Sequence, residues 1–189
     1  MRGQLVTVFG GDGFVGRYVV QALLASGARV RVAVRRPSQA LWLKPLGNLG
    51  QTQIVYADLL KPDSVAAAVA GADAVINLVG IFGSASAMDR INRGGADRVA
   101  REAKAAGVTA LVHFSAIGAD SQSRSAYGRS KGAGETAVAR AFPGATIVRP
   151  SIIFGREDNF VNRFARLIRM APFVPVIGAD TRFQPVYVA

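Results

Sequence analysis

Cysteine is absent from the 189 residues, which excludes disulfides, thiolate metal sites and cysteine nucleophiles. Histidine occurs once, as His113, so neither a His-based zinc site nor a Ser-His-Asp triad is expected, and no metal site is assigned. Charged residues make up only 19% of the chain against 50% hydrophobic ones, and mean hydropathy is +0.26. Disorder, low complexity and a coiled coil are thereby excluded. A long unbroken apolar run is also missing: the most apolar window, Val65 to Phe82, contains Gly71, Asp73 and Asn77. It reads as helix, turn and strand instead of a membrane span. The first residues run straight into a strand-like segment without a leader pattern, so a chain neither secreted nor membrane-spanning is expected.

Negative charge is scarce. Twelve Asp and Glu face 23 Lys and Arg, for a net charge of +11. Such an excess suits phosphates, nucleic acid, an anionic membrane surface or an acidic protein face, and does not choose among them. The pattern along the chain alternates short β-branched runs with helical segments. Strands are predicted at Leu5–Phe9, Arg29–Val34, Thr52–Tyr56, Ala74–Val79, Ala110–Phe114 and Thr146–Arg149. Helices are predicted at Phe14–Ser26, Pro62–Ala70, Met88–Ala106 and Ala126–Ala141, with a short one before Gly50. Apolar strands in strict alternation with helices imply an α/β fold, a doubly wound and mostly parallel sheet of Rossmann type. Residues 1–150 form the predicted dinucleotide-binding domain. Residues 151–189 begin an extension: a loop Ser151–Asn159, an amphipathic helix Phe160–Met170 and a Pro-broken extended stretch Ala171–Ala189. Because the chain stops inside an apparent strand, it reads as truncated.

Gly10, Gly13 and Gly16 form a GxxGxxG pattern between the first strand and the first helix. Glycine permits the tight turn and lets backbone N–H groups approach a pyrophosphate at the helix N-terminus, with Phe14 and Val15 in the first turn. A Gly-rich turn without a ligand is the plainer alternative. The second strand ends Val34-Arg35-Arg36, where NAD-selective folds carry an acid that accepts from the ribose 2′-OH. Arg35 suits a 2′-phosphate, so NADPH (NADP) is expected over NAD, against the alternative of two solvated arginines. Asp58, followed by Leu59, either holds an adenine amino group or caps a loop. Val79 and Gly80 end the fourth strand beside the expected cofactor.

Tyr127 and Lys131 lie four apart on one helix face. A lysine ammonium there would lower the phenol's pKa and hold a nicotinamide ribose, letting Tyr127 exchange a proton with a carbonyl or hydroxyl. His113 and Trp42 read as packing residues.

GGDGFVG, DLLKPDSV, INLVG, the Tyr127/Lys131 pair and RPSIIFGREDNFVNRFA together resemble the short-chain dehydrogenase/reductase superfamily. The likeness is to its atypical, epimerase/dehydratase-like branch, and within that to the large NAD(P)H-binding accessory subunit of respiratory complex I. It implies cofactor contacts from Ser115, Tyr127, Lys131 and Pro150, and catalytic candidates Tyr127, Lys131 and Ser115. In related epimerases a hydroxyl residue lies just past the fifth strand; here that position is Ile117, and the interval from Ser115 to Tyr127 is short. The resemblance therefore implies a largely structural cofactor in a subunit docked on a respiratory complex, matrix-side or cytoplasmic and peripheral to an inner membrane. A free NADP-dependent reductase or epimerase using Tyr127 is the competing function. A nucleic-acid binder is prompted by charge alone, with no recognition motif behind it. Arg163, Arg166 and Arg169, three apart on the last helix, are either a solvated face or a docking stripe.

Overall fold

The computed structural model describes residues 2–170, 173, 178 and 180–189. Contacts divide the chain into two compact units, Met1–Arg149 and Pro150–Ala189.

The first unit is built on six parallel strands: β1 (Leu5–Phe9), β2 (Arg29–Val34), β3 (Thr52–Tyr56), β4 (Ala74–Asn77), β5 (Ala110–Phe114) and β6 (Thr146–Val148). Their order across the sheet is β3-β2-β1-β4-β5-β6. The order reverses between β1 and β4, the position where doubly wound sheets open a crevice at their carboxyl ends. Register brings the strand ends level: Phe9 stands opposite Ala33 on β2 and Asn77 on β4.

Both faces of the sheet are covered, which is why the strands are apolar throughout. On one face Val6, Val8, Val30 and Val32 pack beneath helix α1 (Phe14–Ala25) and the 3₁₀ segment Pro37–Leu46, through Val20, Leu24 and Leu43. On the other, Phe9, Val75 and Leu111 meet α2 (Pro62–Val69), α4 (Ala96–Ala105) and α5 (Ala126–Ala141) through Val65, Val99 and Val138. Trp42, expected to pack, is 41% exposed on the 3₁₀ segment, with the Arg17 guanidinium 4.6 Å above its ring.

Two boundaries differ from expectation for identifiable reasons. Strand β4 stops at Asn77 instead of Val79, because the Asn77 side-chain oxygen accepts from the Val79 N–H at 3.1 Å. The fourth helix is a longer run: α3 (Ala85–Met88), a wide π-type turn Asp89–Gly95 and then α4. Glycines pack this run tightly, since a Cβ on Gly95 would stand 2.9 Å from Leu59 Cδ1, and one on Gly134 2.5 Å from the Asn92 carbonyl oxygen. Such wide turns recur at functional sites.

In the second unit, the stretch expected as a loop contains β7 (Ile153–Phe154), paired in parallel with β8 (Val186–Tyr187). Helix α6 spans Val161–Met170 and buries none of its residues fully. The Asp158 carboxylate caps its start, accepting from the Phe160 and Val161 N–H groups. Of the extended stretch expected at Ala171–Ala189, residues 171, 172, 174–177 and 179 lie outside the described residues.

Leu43 and Leu49 share one connecting segment but differ in environment: the first is fully buried and the second fully exposed. Leu43→Ala should cost about 2–5 kcal/mol in urea unfolding. Leu49→Ala should stay within about 0.5 kcal/mol.

Candidate functional site

At the end of β1 the chain turns sharply into α1. Gly10 adopts φ +76°, a region that side chains disfavour, and its carbonyl oxygen accepts from the Gly13 N–H at 3.1 Å. A Cβ on Gly16 would run into the Gly10 carbonyl oxygen, and one on Gly11 would stand 2.8 Å from Val32 Cγ1. The helix is thus laid directly on the turn. Gly13 is the N-cap of α1 and supplies no side chain to it, and the first turn carries no acid. The helix start retains open N–H donors, which suits an anion.

Around this turn lies a cleft of about 410 Å³ at the carboxyl ends of β1, β2 and β4. It gathers Gly10, Gly13, Arg35, Leu59, Val79 and Gly80, six of the residues expected from sequence. Asp12, Arg36 and Gln39 line it as well, and the motif-based reading had not singled them out for the site. Phe14, Val15 and Gly16 back the turn without lining the cleft. Asp58 is not part of the lining: its Oδ1 accepts from the Leu60 N–H at 2.9 Å, closing its own loop. The lining suits the phosphate and ribose part of a dinucleotide, and a Cβ at Gly16 would disturb the turn beneath it by running into the Gly10 carbonyl.

Helix α5 brings Tyr127 and Lys131 to the same edge. Ser125 caps the helix, accepting from the Gly128 N–H. Lys131 is almost fully buried and its Nζ donates to the Phe114 carbonyl oxygen at 2.6 Å. That Nζ would stand 3.6 Å from a Cβ on Gly80, so the ammonium borders the β4 end of the cleft. Burial pushes Lys131 down to about 8, with the Glu135 carboxylate opposing the shift. Tyr127 departs from expectation. Burial pushes its phenol up, where a lowering by Lys131 was expected. The Phe82 ring, 79% exposed, lies parallel over the Tyr127 ring at 4.1 Å.

Behind this edge sits a polar layer. Asn77 Nδ2 lies 3.2 Å from His113 Nδ1, and with Asn77 Oδ1 accepting from Val79 the amide donates to the ring. The ring is fully buried, and desolvation, then the Lys131 charge, pushes His113 down to about 4. Asn92, also buried, donates to the Ile81 carbonyl and to Ser130 Oγ and accepts from the Ile81 N–H, tying the loop after β4 to α5. Arg149 donates to both oxygens of Glu135, at 2.9 and 2.5 Å; burial opposes, but this contact holds the carboxyl below its ordinary range. Ser115 is buried and donates its backbone N–H to the Val148 carbonyl, while Ile117 is 67% exposed. Pro150 opens the second unit. Asn92 and Phe82 escaped the motif-based reading because neither belongs to a spaced motif; only the π-type turn betrays Asn92.

A parallel sheet with a glycine turn, an uncapped helix start and a cleft at the order reversal defines a dinucleotide-binding Rossmann protein. Residues 10–160 match the NAD(P)H-binding family, and the chain belongs to it. It is 37% identical over 188 residues to the mitochondrial NADH dehydrogenase [ubiquinone] 1 alpha subcomplex subunit 9 of Dictyostelium discoideum, covering 98% of this chain and 52% of that protein. The ceramide reductase of Caulobacter vibrioides is 34% identical, over 97% of this chain and 57% of its own length. A putative NAD-dependent epimerase/dehydratase from Bacillus halodurans superposes with a TM-score of 0.72 at 28% identity, over 83% of this chain and 74% of its own. The chain spans about half the length of the curated relatives it matches. Together these bear out the resemblance read from the motifs.

His113 gives the site a pH signature. A folded-state pKa near 4 against about 6.5 unfolded means the unfolded chain binds the proton first as pH falls. The stability contribution is complete above about pH 6.5 and drains as pH drops toward 4, by about 3 kcal/mol. His113→Gln should flatten that acid limb in urea unfolding between pH 7.5 and 4.5. An unchanged slope would contradict a neutral buried ring.

Proposed function

We propose that this chain is the nucleotide-binding part of an accessory subunit of a respiratory complex of the complex I type, holding NADP(H) chiefly as a structural or regulatory group. The observation that carries the proposal is the cleft itself: an uncapped helix start and a glycine cradle facing Arg35, in a chain similar over its whole length to complex I subunits. The nucleotide, when bound, would supply a nicotinamide able to carry hydride. Gly10 and Gly13 would take the pyrophosphate, Arg35 a 2′-phosphate, and Lys131 and Tyr127 the nicotinamide ribose. Two features support retention without turnover: Phe82 covers one face of Tyr127, and burial makes the phenol harder to ionise than a free tyrosine. The position is matrix-side or cytoplasmic and peripheral to an inner membrane. The exposed arginines of α6, Arg163, Arg166 and Arg169, form the face toward an acidic subunit or an anionic membrane surface.

A free reductase is the second function, favoured by the likeness to the Caulobacter ceramide reductase and by Tyr127 and Lys131 sharing a helix face. A substrate screen separates the two. Robust NADPH-dependent turnover that vanishes in Tyr127→Phe would establish the reductase; cofactor binding without turnover, together with co-purification with a respiratory complex, is expected here. Reversing the charge of Arg163 and Arg166 should weaken that assembly and leave nucleotide affinity intact.

For the nucleotide, Arg35 should favour NADPH over NADH by about 1.5–3 kcal/mol through a charge-assisted phosphate contact. Calorimetric titration of Arg35→Glu should abolish the preference. Equal affinities in the unmodified chain would remove Arg35 from the 2′-phosphate.

A further inference from the structure

The turn that cradles the pyrophosphate, residues 10–13, has one side chain, and it is acidic. Asp12 is exposed and lines the cleft together with Arg35, Arg36 and Gln39. Among the described residues it is the only acid in that lining. No ion pair joins it to Arg35 or Arg36, so both signs of charge stand available to a ligand at the end of β2. Dinucleotide folds that select NAD place a ribose-binding carboxylate at the end of the second strand. Here that strand ends in two arginines, and the cleft's carboxylate comes from the turn after β1 instead.

Building on the assignment of the cleft to a pyridine nucleotide, we propose that Asp12 is a specificity-determining residue that accepts from the adenosine ribose hydroxyl and opposes a 2′-phosphate held by Arg35 and Arg36. The two arginines outweigh one carboxylate, so NADPH stays preferred, by less than it would be without Asp12. Physically the opposition is Coulombic. A phosphate monoester carries close to two negative charges at neutral pH, and a carboxylate sharing its cleft repels it, whereas a neutral ribose hydroxyl meets only an acceptor. Asp12 also directly precedes the α1 N-cap, where a negative charge favours the helix dipole. A residue with that role alone would affect stability and leave nucleotide choice untouched.

The test is a fluorescence titration of NADPH and NADH against the 189-residue chain and its Asp12→Asn, Asp12→Ser, Asp12→Glu and Arg35→Ala variants, at fixed ionic strength. Removing the charge should tighten NADPH binding about tenfold more than it changes NADH binding, because only NADPH carries the 2′-phosphate, so the NADPH/NADH affinity ratio rises. Asp12→Glu should keep the original ratio, and Arg35→Ala should lower it. If Arg35→Ala moves the ratio while both neutral Asp12 variants do not, the Asp12 assignment is overturned and the cleft assignment stands. A small fall in Tm with an unmoved ratio would mark Asp12 as a helix-start residue only. If the unmodified chain binds neither nucleotide, the cleft assignment itself fails and takes this proposal with it.

Discussion

The close approach of α1 to the end of β1 governs the carboxyl edge of the sheet. Gly16 sits against the Gly10 carbonyl oxygen with no space for a Cβ, and Gly11 sits against Val32 and Val20 in the same way. With the helix seated so low, its open N–H donors face the space above the strand ends instead of a side-chain cap. Parallel register does the rest. Phe9 is level with Ala33 and Asn77, so Arg35 and Arg36 two or three residues beyond β2's level point, and Val79 and Gly80 just beyond β4, open into the same cleft. One steric contact therefore places an anion-seeking helix start, two arginines and a glycine-lined wall together. Enlarging either Gly16 or Gly11 would lift the helix and separate them.

The other end of the cleft obeys a different constraint. Helix α5 packs through small residues against the loop before it and the π-type turn: a Cβ on Gly132 would collide with the Asp120–Ser121 backbone, and Gly134 abuts the Asn92 carbonyl. That proximity buries Lys131, and a buried ammonium must find an acceptor, which Phe114 supplies. The Asn77–His113 pair and the Glu135–Arg149 pair fill the remaining polar volume. Tyr127 lies beside this layer with its ring stacked on Phe82 and its phenol pushed up by burial.

These two ends differ in how far the sequence discloses them. The fold, the glycine turn and the strand-end residues were legible because each follows from a local rule: period, spacing or the absence of a side chain. Gly10, Gly13, Arg35, Leu59, Val79 and Gly80 meet in the cleft for that reason. Asp58 looked equally placed, yet its carboxylate closes on Leu60 within its own loop, a choice that spacing cannot foresee. The phenol shifts up instead of down because the i,i+4 rule brings Lys131 to the right face without saying how deeply the Tyr127 ring is buried. Asn92 and Phe82 reach Ser130 and Tyr127 across more than 30 residues, and no pattern along the chain encodes such contacts. Trp42 lies partly exposed with Arg17 over its ring, a contact no spacing along the chain announces.

A nucleotide need not react to be worth keeping. Ligand that binds only the folded chain adds about 2.7 kcal/mol of stability at a hundredfold excess over its dissociation constant. Against the roughly 5–15 kcal/mol that holds an ordinary domain together, this is a large share. The stabilisation falls where the chain is otherwise least self-sufficient. The helix start has no side-chain cap, and the cleft beside it is lined by Arg35 and Arg36 with Asp12 as its one acid among the described residues. In the proposed reading, a phosphate bound there would engage helix start, arginine pair and glycine turn together, which is how a cofactor could serve as a structural member.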